Sequence, residues 1–241
     1  MKLPKNWTEI RLDQFKELYN LARGDFDSLF LYNLELLAIV SDQDADDIDI
    51  SVNELTDYVK SLTFLQREPP KINDKVIDNL TYKGVKNLTL GEFIDLEYYF
   101  ALDYIDNLEV ICSILYRKTG LDDWSELTFE PYRYDPKTRV GLFSELPITS
   151  VYGVVRDYME FRDSFIKSYE NLFQPDIEDT DEELSIEDKK EEEKEKRLEK
   201  WSWEMVIYEL AGEDITKVDQ VTDLPLILAF NFLSMKYETK T

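Results

Sequence analysis

The chain has 241 residues, of which 52 are acidic and 28 basic, giving a formal net charge of −24 at pH 7. This charge argues against nucleic acid or anionic lipid as a partner, because phosphate binding depends on neutralising cations. It is compatible with a basic protein partner, or simply with a surface that keeps the chain soluble. The length allows one good core or two small ones.

Histidine is absent from the chain, which removes the usual general base near neutral pH and the commonest transition-metal ligand. The single cysteine, Cys112, lies in an apolar run and is expected to be a buried, inert thiol. One cysteine cannot form a disulfide within the chain, which indicates a reducing compartment. The N-terminus lacks the apolar core of a signal peptide, and no apolar run has membrane-spanning length, so we expect a soluble intracellular protein.

Two segments share one apolar spacing: IRLDQFKEL at 10–18 and LTLGEFIDL at 88–96. A second pair of similar segments follows in the same order: NLELL at 33–37 and NLEVI at 107–111. The common order suggests one helical unit used twice, although apolar similarity this loose also arises by chance. A repeat is a packing device and favours assembly over catalysis.

The first unit is predicted to hold three helices. The first begins near Asp13, a plausible N-cap, and ends at Gly24. The second covers 28–40 and is apolar almost all round, which places it centrally. An acidic loop leads to a third helix over about 52–62, and Pro69-Pro70 ends the unit.

A small hairpin is predicted over 71–85, with Asp78-Asn79 as one of its turn signals. The second copy then begins with a capping box of Thr89 and Glu92, absent from the first copy, where Arg11 holds the cap position. Helices are predicted over 90–102 and 104–118.

A second hairpin is predicted between 121 and 147, around the type I turn signature Asp135-Pro136-Lys137-Thr138. An amphipathic helix comes next over 149–173, and its apolar stripe packs in the core or also seals a subunit interface. After an acidic linker at 176–183, a helix over 185–211 is charged in its first half, and a last helix begins near Asp223.

The predicted fold class is therefore mainly α with two small β-hairpins (α+β), a possible twice-used helical unit and a C-terminal helical subdomain. The predicted parts are 1–70, helical unit 1; 71–120, hairpin plus helical unit 2; 121–147, hairpin insertion; 148–175, long helix; and 176–241, linker, charged helix and C-terminal subdomain.

Candidate sites are few. The acidic loop at 42–49 superficially resembles a calcium loop, but Asp47 stands where a glycine is needed and Asn53 where a bidentate glutamate should close the shell. A solvated, helix-capping loop is the simpler interpretation. No glycine-rich phosphate loop occurs, and no serine has a histidine partner. We therefore predict no catalytic residue, no metal site and no cofactor. The predicted interface residues are aromatic: Tyr132, Tyr134, Trp201 and Trp203.

The arrangement of three segments, 7–15, 88–97 and 201–211, resembles structural and assembly proteins from the neck and tail gene clusters of tailed bacteriophages. The low-glycine style, rich in Lys, Glu, Asp and Ile, is similar to crAss-like phages of gut Bacteroidetes. No functional residue is carried over from this resemblance.

This resemblance implies a non-enzymatic virion protein, a ring or connector of the neck or tail that mediates head-to-tail assembly. It would be made in the host bacterial cytoplasm, form homo-oligomers in the particle and contact the portal and neighbouring ring or tail proteins, with no direct contact to nucleic acid or membrane. The alternatives are a tail assembly chaperone that does not stay in the virion, and a cytoplasmic protein–protein adaptor.

Overall fold

The computed structural model describes residues 2–173 and 202–240. The described residues are mainly helical with one small antiparallel sheet, which confirms the predicted α+β class. The helices are α1 Leu12–Arg23, α2 Leu29–Ser41, α3 Val52–Ser61, α4 Leu90–Asp103, α5 Leu108–Leu115, α6 Tyr152–Ser168, α7 Glu170–Phe173, α8 Ser202–Leu210, α9 Val218–Thr222 and α10 Leu226–Lys240. The strands are β1 Val76–Ile77, β2 Leu80–Tyr82, β3 Tyr116–Leu121 and β4 Leu127–Phe129.

The chain divides into two compact units that are interleaved along the sequence. Unit 1 comprises Met1–Val85 and Leu96–Met159, and unit 2 comprises Lys86–Asp95 and Glu160–Thr241. Within the described ranges, no helix is at once long and apolar enough to cross a membrane. The predicted acidic linker, the charged half of the helix over 185–211 and Trp201 lie outside the described residues.

The four strands form one sheet in unit 1, in the order β1-β2-β3-β4, with every neighbouring pair antiparallel. The first predicted hairpin is confirmed as β1–β2. Its two-residue turn is Asp78-Asn79, and Asp78 adopts a left-handed φ of 53°, as short hairpin turns require.

The second hairpin lies earlier than predicted, in β3–β4, and shares its sheet with the first. The segment Asp135-Pro136-Lys137-Thr138 does not join two strands but begins a 3-10 helix over Pro136–Leu142. The Asp135 side chain accepts a hydrogen bond from the backbone N–H of Lys137. A type I turn has nearly the backbone angles of a 3-10 turn, so the prediction is correct for the first turn and wrong for the strand expected after it.

The prediction that the helix over 104–118 continues to Lys118 is wrong, because α5 ends at Leu115. Residues Tyr116, Arg117 and Lys118 instead pair with β2. Pairing with a neighbouring strand thus overrides the local helical pattern. The eight residues of α5 are all buried, and the Ser113 hydroxyl lies 2.9 Å from the carbonyl oxygen of Val110 and 2.7 Å from that of Pro136, with one hydrogen to share between them.

In both units a pair of backbone hydrogen bonds joins the start of a helix to a segment that is distant in sequence. In unit 1 the N–H of Leu12 donates to the carbonyl of Leu146 (2.9 Å), and the N–H of Ile148 donates to that of Ile10 (2.8 Å). In unit 2 the N–H of Leu90 donates to Leu224 (3.0 Å), and that of Leu226 to Leu88 (2.9 Å). The bridged pairs are Arg11 with Pro147 and Thr89 with Pro225, so both sides of the bridge recur after 78 residues.

The side chains around this bridge correspond as well. Phe15 makes an edge contact with Tyr152 at a centroid distance of 6.0 Å, and its equivalent, Phe93, makes one with Phe230 at 5.8 Å. The 3-10 turn Trp7–Glu9 likewise has its counterpart 78 residues later in Val85–Asn87. The twice-used unit therefore includes a third matching segment, ELPITSVY at 145–152 against DLPLILAF at 223–230, which the sequence patterns alone did not indicate.

The caps of the two matching helices differ in detail. In unit 2 the backbone N–H of Thr89 donates to the Glu92 carboxylate, and the N–H of Glu92 donates to the Thr89 hydroxyl, which confirms the predicted capping box. In unit 1 the N-cap is Arg11, not Asp13, and Gln14 accepts from the backbone N–H of Arg11. The helix start is thus held at the same position in both units.

Candidate interaction surfaces

Tyr132 and Tyr134, two of the predicted interface residues, lie half-buried in unit 1 against the guanidinium of Arg117. The guanidinium carbon lies 4.9 Å from the ring centroid of Tyr132 and 5.0 Å from that of Tyr134. Tyr134 is also covered by Arg139 at 3.7 Å, and its hydroxyl donates to the carbonyl of Ser113 (2.6 Å). These contacts within the chain account for both rings, and an intermolecular role for them stays a prediction.

Arg117 is fully buried, and Glu130 is its counter-ion. Arg117 donates to the backbone carbonyl of Glu130, and its Nε lies 3.8 Å from the Glu130 carboxylate. The same carboxylate accepts a hydrogen bond of 2.6 Å from Arg139. Burial opposes ionisation of Glu130, but hydrogen bonds from Arg139 and from the N–H of Lys118 outweigh it, so the pKa of this carboxyl lies below its usual value.

Trp203, the third predicted interface residue, packs inside unit 2. Its ring lies 5.8 Å from Phe93 and 6.3 Å from Phe230, between centroids. Phe165 completes this aromatic cluster at 5.2 Å from Phe93 and 4.7 Å from Phe230. The half-buried Trp203 therefore contributes to the unit 2 core, while the fourth residue, Trp201, lies outside the described residues.

The most exposed tryptophan of the described residues is Trp124, at the tip of the β3–β4 hairpin. Its exposure is 85%, and the flanking Leu121 and Leu127 are also exposed. Leu121 ends β3 and its cross-strand partner Leu127 begins β4, so these two residues and Trp124 are three exposed large apolar residues at one end of the hairpin, which we call the hairpin tip. A patch of this kind on a water-exposed surface marks an interaction site more often than isolated apolar residues do.

The turn that carries Trp124 is fixed by hydrogen bonds. One carboxylate oxygen of Asp122 accepts from the backbone N–H of Trp124 (2.9 Å) and from that of Glu126 (2.8 Å). The N–H of Ser125, a residue with φ 63°, donates to the carbonyl of Asp122. Because the backbone is held before any partner arrives, binding through this turn would cost little further ordering.

The hairpin tip is acidic around its apolar centre. Asp122, Asp123 and Glu126 lie within three residues of Trp124, and Asp123 and Glu126 are exposed. An apolar centre with a negative rim fits a pocket with an apolar floor and a Lys or Arg rim, because complementary potentials attract while like charges repel.

A second exposed apolar surface lies on α10. One face of this helix packs in the unit 2 core through Leu226, Ala229 and Phe230. Leu228, Phe232 and Met235, spaced four and three residues apart, share the opposite face, with exposures of 43%, 53% and 54%. We call these three residues the outer stripe.

The acidic loop at 42–49 uses its carboxylates within the chain. Asp42 accepts two hydrogen bonds from Arg11 (3.1 and 3.2 Å), which hold the pKa of Asp42 below its usual value. Asp44 caps the 3-10 turn Ala45–Asp47 by accepting from the N–H of Asp46. Among the described residues, no group of three His, Cys, Asp or Glu side chains is arranged to hold a metal ion.

We expect added Ca²⁺ to leave the melting temperature of the protein unchanged. A calcium site needs six to eight oxygen ligands, and this loop uses Asp42 on Arg11 and Asp44 on a cap. Thermal melts with and without millimolar Ca²⁺ after chelation measure this, since a ligand that binds the folded state raises its stability. Mg²⁺ at the same ionic strength is the control, and a rise with Ca²⁺ alone would contradict the expectation.

Cys112 is completely buried in α5, and burial raises the pKa of its thiol far above the usual value. A thiol in this state is not a nucleophile. It packs as a small apolar side chain, in agreement with the prediction.

Sequence reasoning missed both surfaces. Trp124 stands in the turn DDWSE between two strand-like runs, and a tryptophan in a polar turn is a signal that could have identified it. The sequence does not indicate the outer stripe because α10 is apolar on two faces, and only packing shows which face is covered.

No family model, curated protein or solved structure matches this chain.

Proposed function

We propose that this protein is a non-enzymatic structural protein that works through protein–protein contacts, as a ring or connector component in the neck or tail of a tailed bacteriophage. The observation that carries the interaction role is Trp124, which is 85% exposed on a hairpin turn fixed by Asp122. The phage setting rests on the resemblance of segments 7–15, 88–97 and 201–211.

Several features support contact over catalysis. The sequence holds no histidine, its one cysteine is buried, and the exposed features of unit 1 include an apolar tip with an acidic rim. Tryptophan is enriched among residues that dominate binding energy at interfaces. A preformed hairpin that inserts a tryptophan into a pocket of a neighbouring protein suits a connector that must fit between other components.

We expect Trp124→Ala to weaken binding to the neighbouring virion protein by about 30-fold or more, the effect of losing a hot-spot residue worth about 2 kcal/mol. The measurement is titration of the purified chain against purified portal and neck proteins of the same phage. Leu29→Ala, at an exposed apolar residue of unit 1 outside the hairpin tip, is the matched control and should bind as the unmodified chain does.

Salt and charge provide a second readout of the same contact. If the partner pocket has a basic rim, binding should weaken as salt rises, because screening reduces the attraction to the acidic rim. Asp123→Lys should slow association for the same reason. Equal affinity of Trp124→Ala and the unmodified chain for every neck and tail protein would refute the proposed role of the hairpin tip.

Protein identification in purified particles tests the phage setting. We expect the chain to be present at a fixed ratio to the portal protein. Its absence from particles, together with a complex in infected cells, would instead favour the assembly chaperone, and a monomer that binds no phage component would favour the cellular adaptor.

A further inference from the structure

We propose that a second copy of this chain covers the outer stripe, with the two α10 helices packed against each other in antiparallel orientation. The stripe consists of Leu228, Phe232 and Met235, and the three residues that anchor α10 in unit 2 lie on its other face. The proposal goes beyond the proposed function, because an antiparallel two-fold contact joins copies in pairs, whereas a ring is closed by head-to-tail contacts.

In unit 1 the segment equivalent to the first part of this helix face is covered, while Asp157, the counterpart of Met235, is half-buried. The residues of unit 1 that correspond to Leu228, Asn231 and Phe232 are Ser150, Gly153 and Val154, which are all buried. The segment 72–74, which belongs to no helix or strand, lies on them: the N–H of Asp74 donates to the carbonyl of Ser150, and the N–H of Gly153 donates to that of Ile72, each at 2.8 Å. A side chain at Gly153 would meet the Ile72 carbonyl oxygen at 2.6 Å.

The same cover does not fit unit 2. In unit 1 the helix begins at Tyr152, which leaves the carbonyl of Ser150 and the N–H of Gly153 available to the segment 72–74. In unit 2 the helix begins at Leu226, four residues before the equivalent Phe230, and the corresponding backbone groups lie inside the helical ladder. Only side chains are available there, and apolar side chains at spacings of four and three fit another helix.

Charge points to a second copy as the occupant. The chain has a net charge of −24, so most of its surface repels a copy of itself. The helix α10 differs from the rest, since within Leu226–Lys240 its charged residues are Lys236, Glu238 and Lys240, two basic and one acidic. Two such helices can approach without the repulsion that the remaining surface would impose.

The flanks and the spacing of the stripe also fit self-association. On one flank Asn231 accepts a hydrogen bond from Tyr169 (2.7 Å), and on the other Lys236 pairs with Glu209 (2.8 Å). Both contacts fix α10 within unit 2. In an antiparallel pair centred on Phe232, the two Phe232 rings meet, and Leu228 of each copy faces Met235 of the other, as a two-fold interface requires.

The first measurement is the mass of the intact chain in solution by sedimentation. We expect a species of twice 28.6 kDa that forms between about 1 and 100 µM, and that tightens as salt rises, because screening weakens the repulsion between two acidic chains. Phe232→Glu should weaken the association by about 100-fold, because a charge would be buried without a partner. Ile227→Glu is the matched control: Ile227 is 44% exposed on the same helix, off the stripe, and its variant should still dimerise.

A mixing experiment tests the orientation. Leu228→Glu and Met235→Lys should each be monomeric alone, with unchanged circular dichroism. An equimolar mixture should form a heterodimer, because antiparallel packing places the introduced carboxylate opposite the introduced ammonium at one end and keeps the original contact at the other. A parallel pair would not be rescued by mixing.

The proposal is overturned if the intact chain stays monomeric at about 100 µM, which is also the result expected if another segment of the same chain covers the stripe. It is equally overturned if Phe232→Glu dimerises like Ile227→Glu. Neither measurement involves the hairpin tip or a virion partner, so failure here leaves the proposed function standing, and loss of the Trp124 contact leaves this proposal standing.

Discussion

Phe93→Ala is expected to lower the free energy of unfolding by about 4 kcal/mol, the range for removing a fully buried phenylalanine from a packed core. Phe93 is completely buried and contacts three aromatic rings, Phe165, Trp203 and Phe230, at centroid distances between 5.2 and 5.8 Å. The cavity cannot close easily, because these rings are anchored on three different helices. Urea unfolding at equilibrium measures the loss.

Phe232→Ala is the control for this substitution, since it removes the same side chain from an exposed position of the same unit. At protein concentrations where the chain is monomeric, it should change stability by less than about 1 kcal/mol. Phe15→Ala tests the correspondence of the two units: Phe15 is buried and contacts Trp7 and Tyr152, so it should be destabilising to a similar order. Equal effects of Phe93→Ala and Phe232→Ala would contradict the described core of unit 2.

Most helices were predictable because their local signals agree with their packing, but the prediction that α2 lies centrally is wrong, since its first turn leaves Leu29, Phe30 and Leu31 exposed. The apolar spacing of α1 and α4, the capping box of Thr89 and Glu92, and the turn at Asp78-Asn79 each fix backbone conformation over a few residues. Where a distant segment decides the outcome, local signals failed. Tyr116 to Lys118 have a helical pattern but become strand because β2 lies alongside them.

The two equivalent β-bridges, Arg11 with Pro147 and Thr89 with Pro225, are a second case in which local sequence does not reveal pairing with a distant segment. The likeness of 10–18 to 88–96 is visible in sequence because it occurs in one continuous stretch. The segments that pair with them, around Pro147 and Pro225, share only an acidic residue, Leu-Pro and a few apolar or aromatic positions within eight residues, which is too short a match to stand out in the sequence. Only the backbone hydrogen bonds show that both segments have the same role, and therefore that unit 2 leaves open a helix face of which unit 1 covers the first part.

The aromatic residue type predicts an interface residue only where the side chain is exposed. Tyr132, Tyr134 and Trp203 are all half-buried against other side chains, while Trp124, which the sequence analysis does not predict, is exposed. The residues next to Tyr132 in the sequence do not show that its ring packs on Arg117, because Arg117 is 15 residues away along the chain. Sequence alone carries no information on that distance in space.

Glu130→Gln is expected to lower the free energy of unfolding by about 3 kcal/mol, near the low end for breaking a buried ion pair by removing one partner. The reason is Arg117, which is fully buried and would keep its charge while losing the negative counterpart. The low end applies because the Glu130 side chain remains 24% exposed, so water compensates part of the loss. Urea unfolding at neutral pH measures the change.

Acid titration of stability tests the same carboxylate. The pKa of Glu130 is lowered in the folded state. The ionised Glu130 therefore contributes its full stabilisation of the folded state above the pKa of an unfolded glutamate, about 4.3. This stabilisation is lost as pH falls through the lower pKa of the folded state. The unmodified chain should therefore lose stability across this window more steeply than Glu130→Gln. Glu126→Gln, at an exposed position of the same hairpin, is the matched control and should change stability by less than about 0.5 kcal/mol.

The double variant Arg117→Met with Glu130→Gln separates charge from packing. Replacing a buried ion pair with apolar or neutral groups of similar size is often neutral or stabilising, so the double variant should recover most of the stability that Glu130→Gln loses. Tyr132 and Tyr134 would then pack on a methionine side chain, which makes favourable contacts with aromatic rings. If the double variant were less stable than Glu130→Gln alone, the packing of both rings on the guanidinium would contribute more to the stability of unit 1 than the Arg117–Glu130 ion pair does.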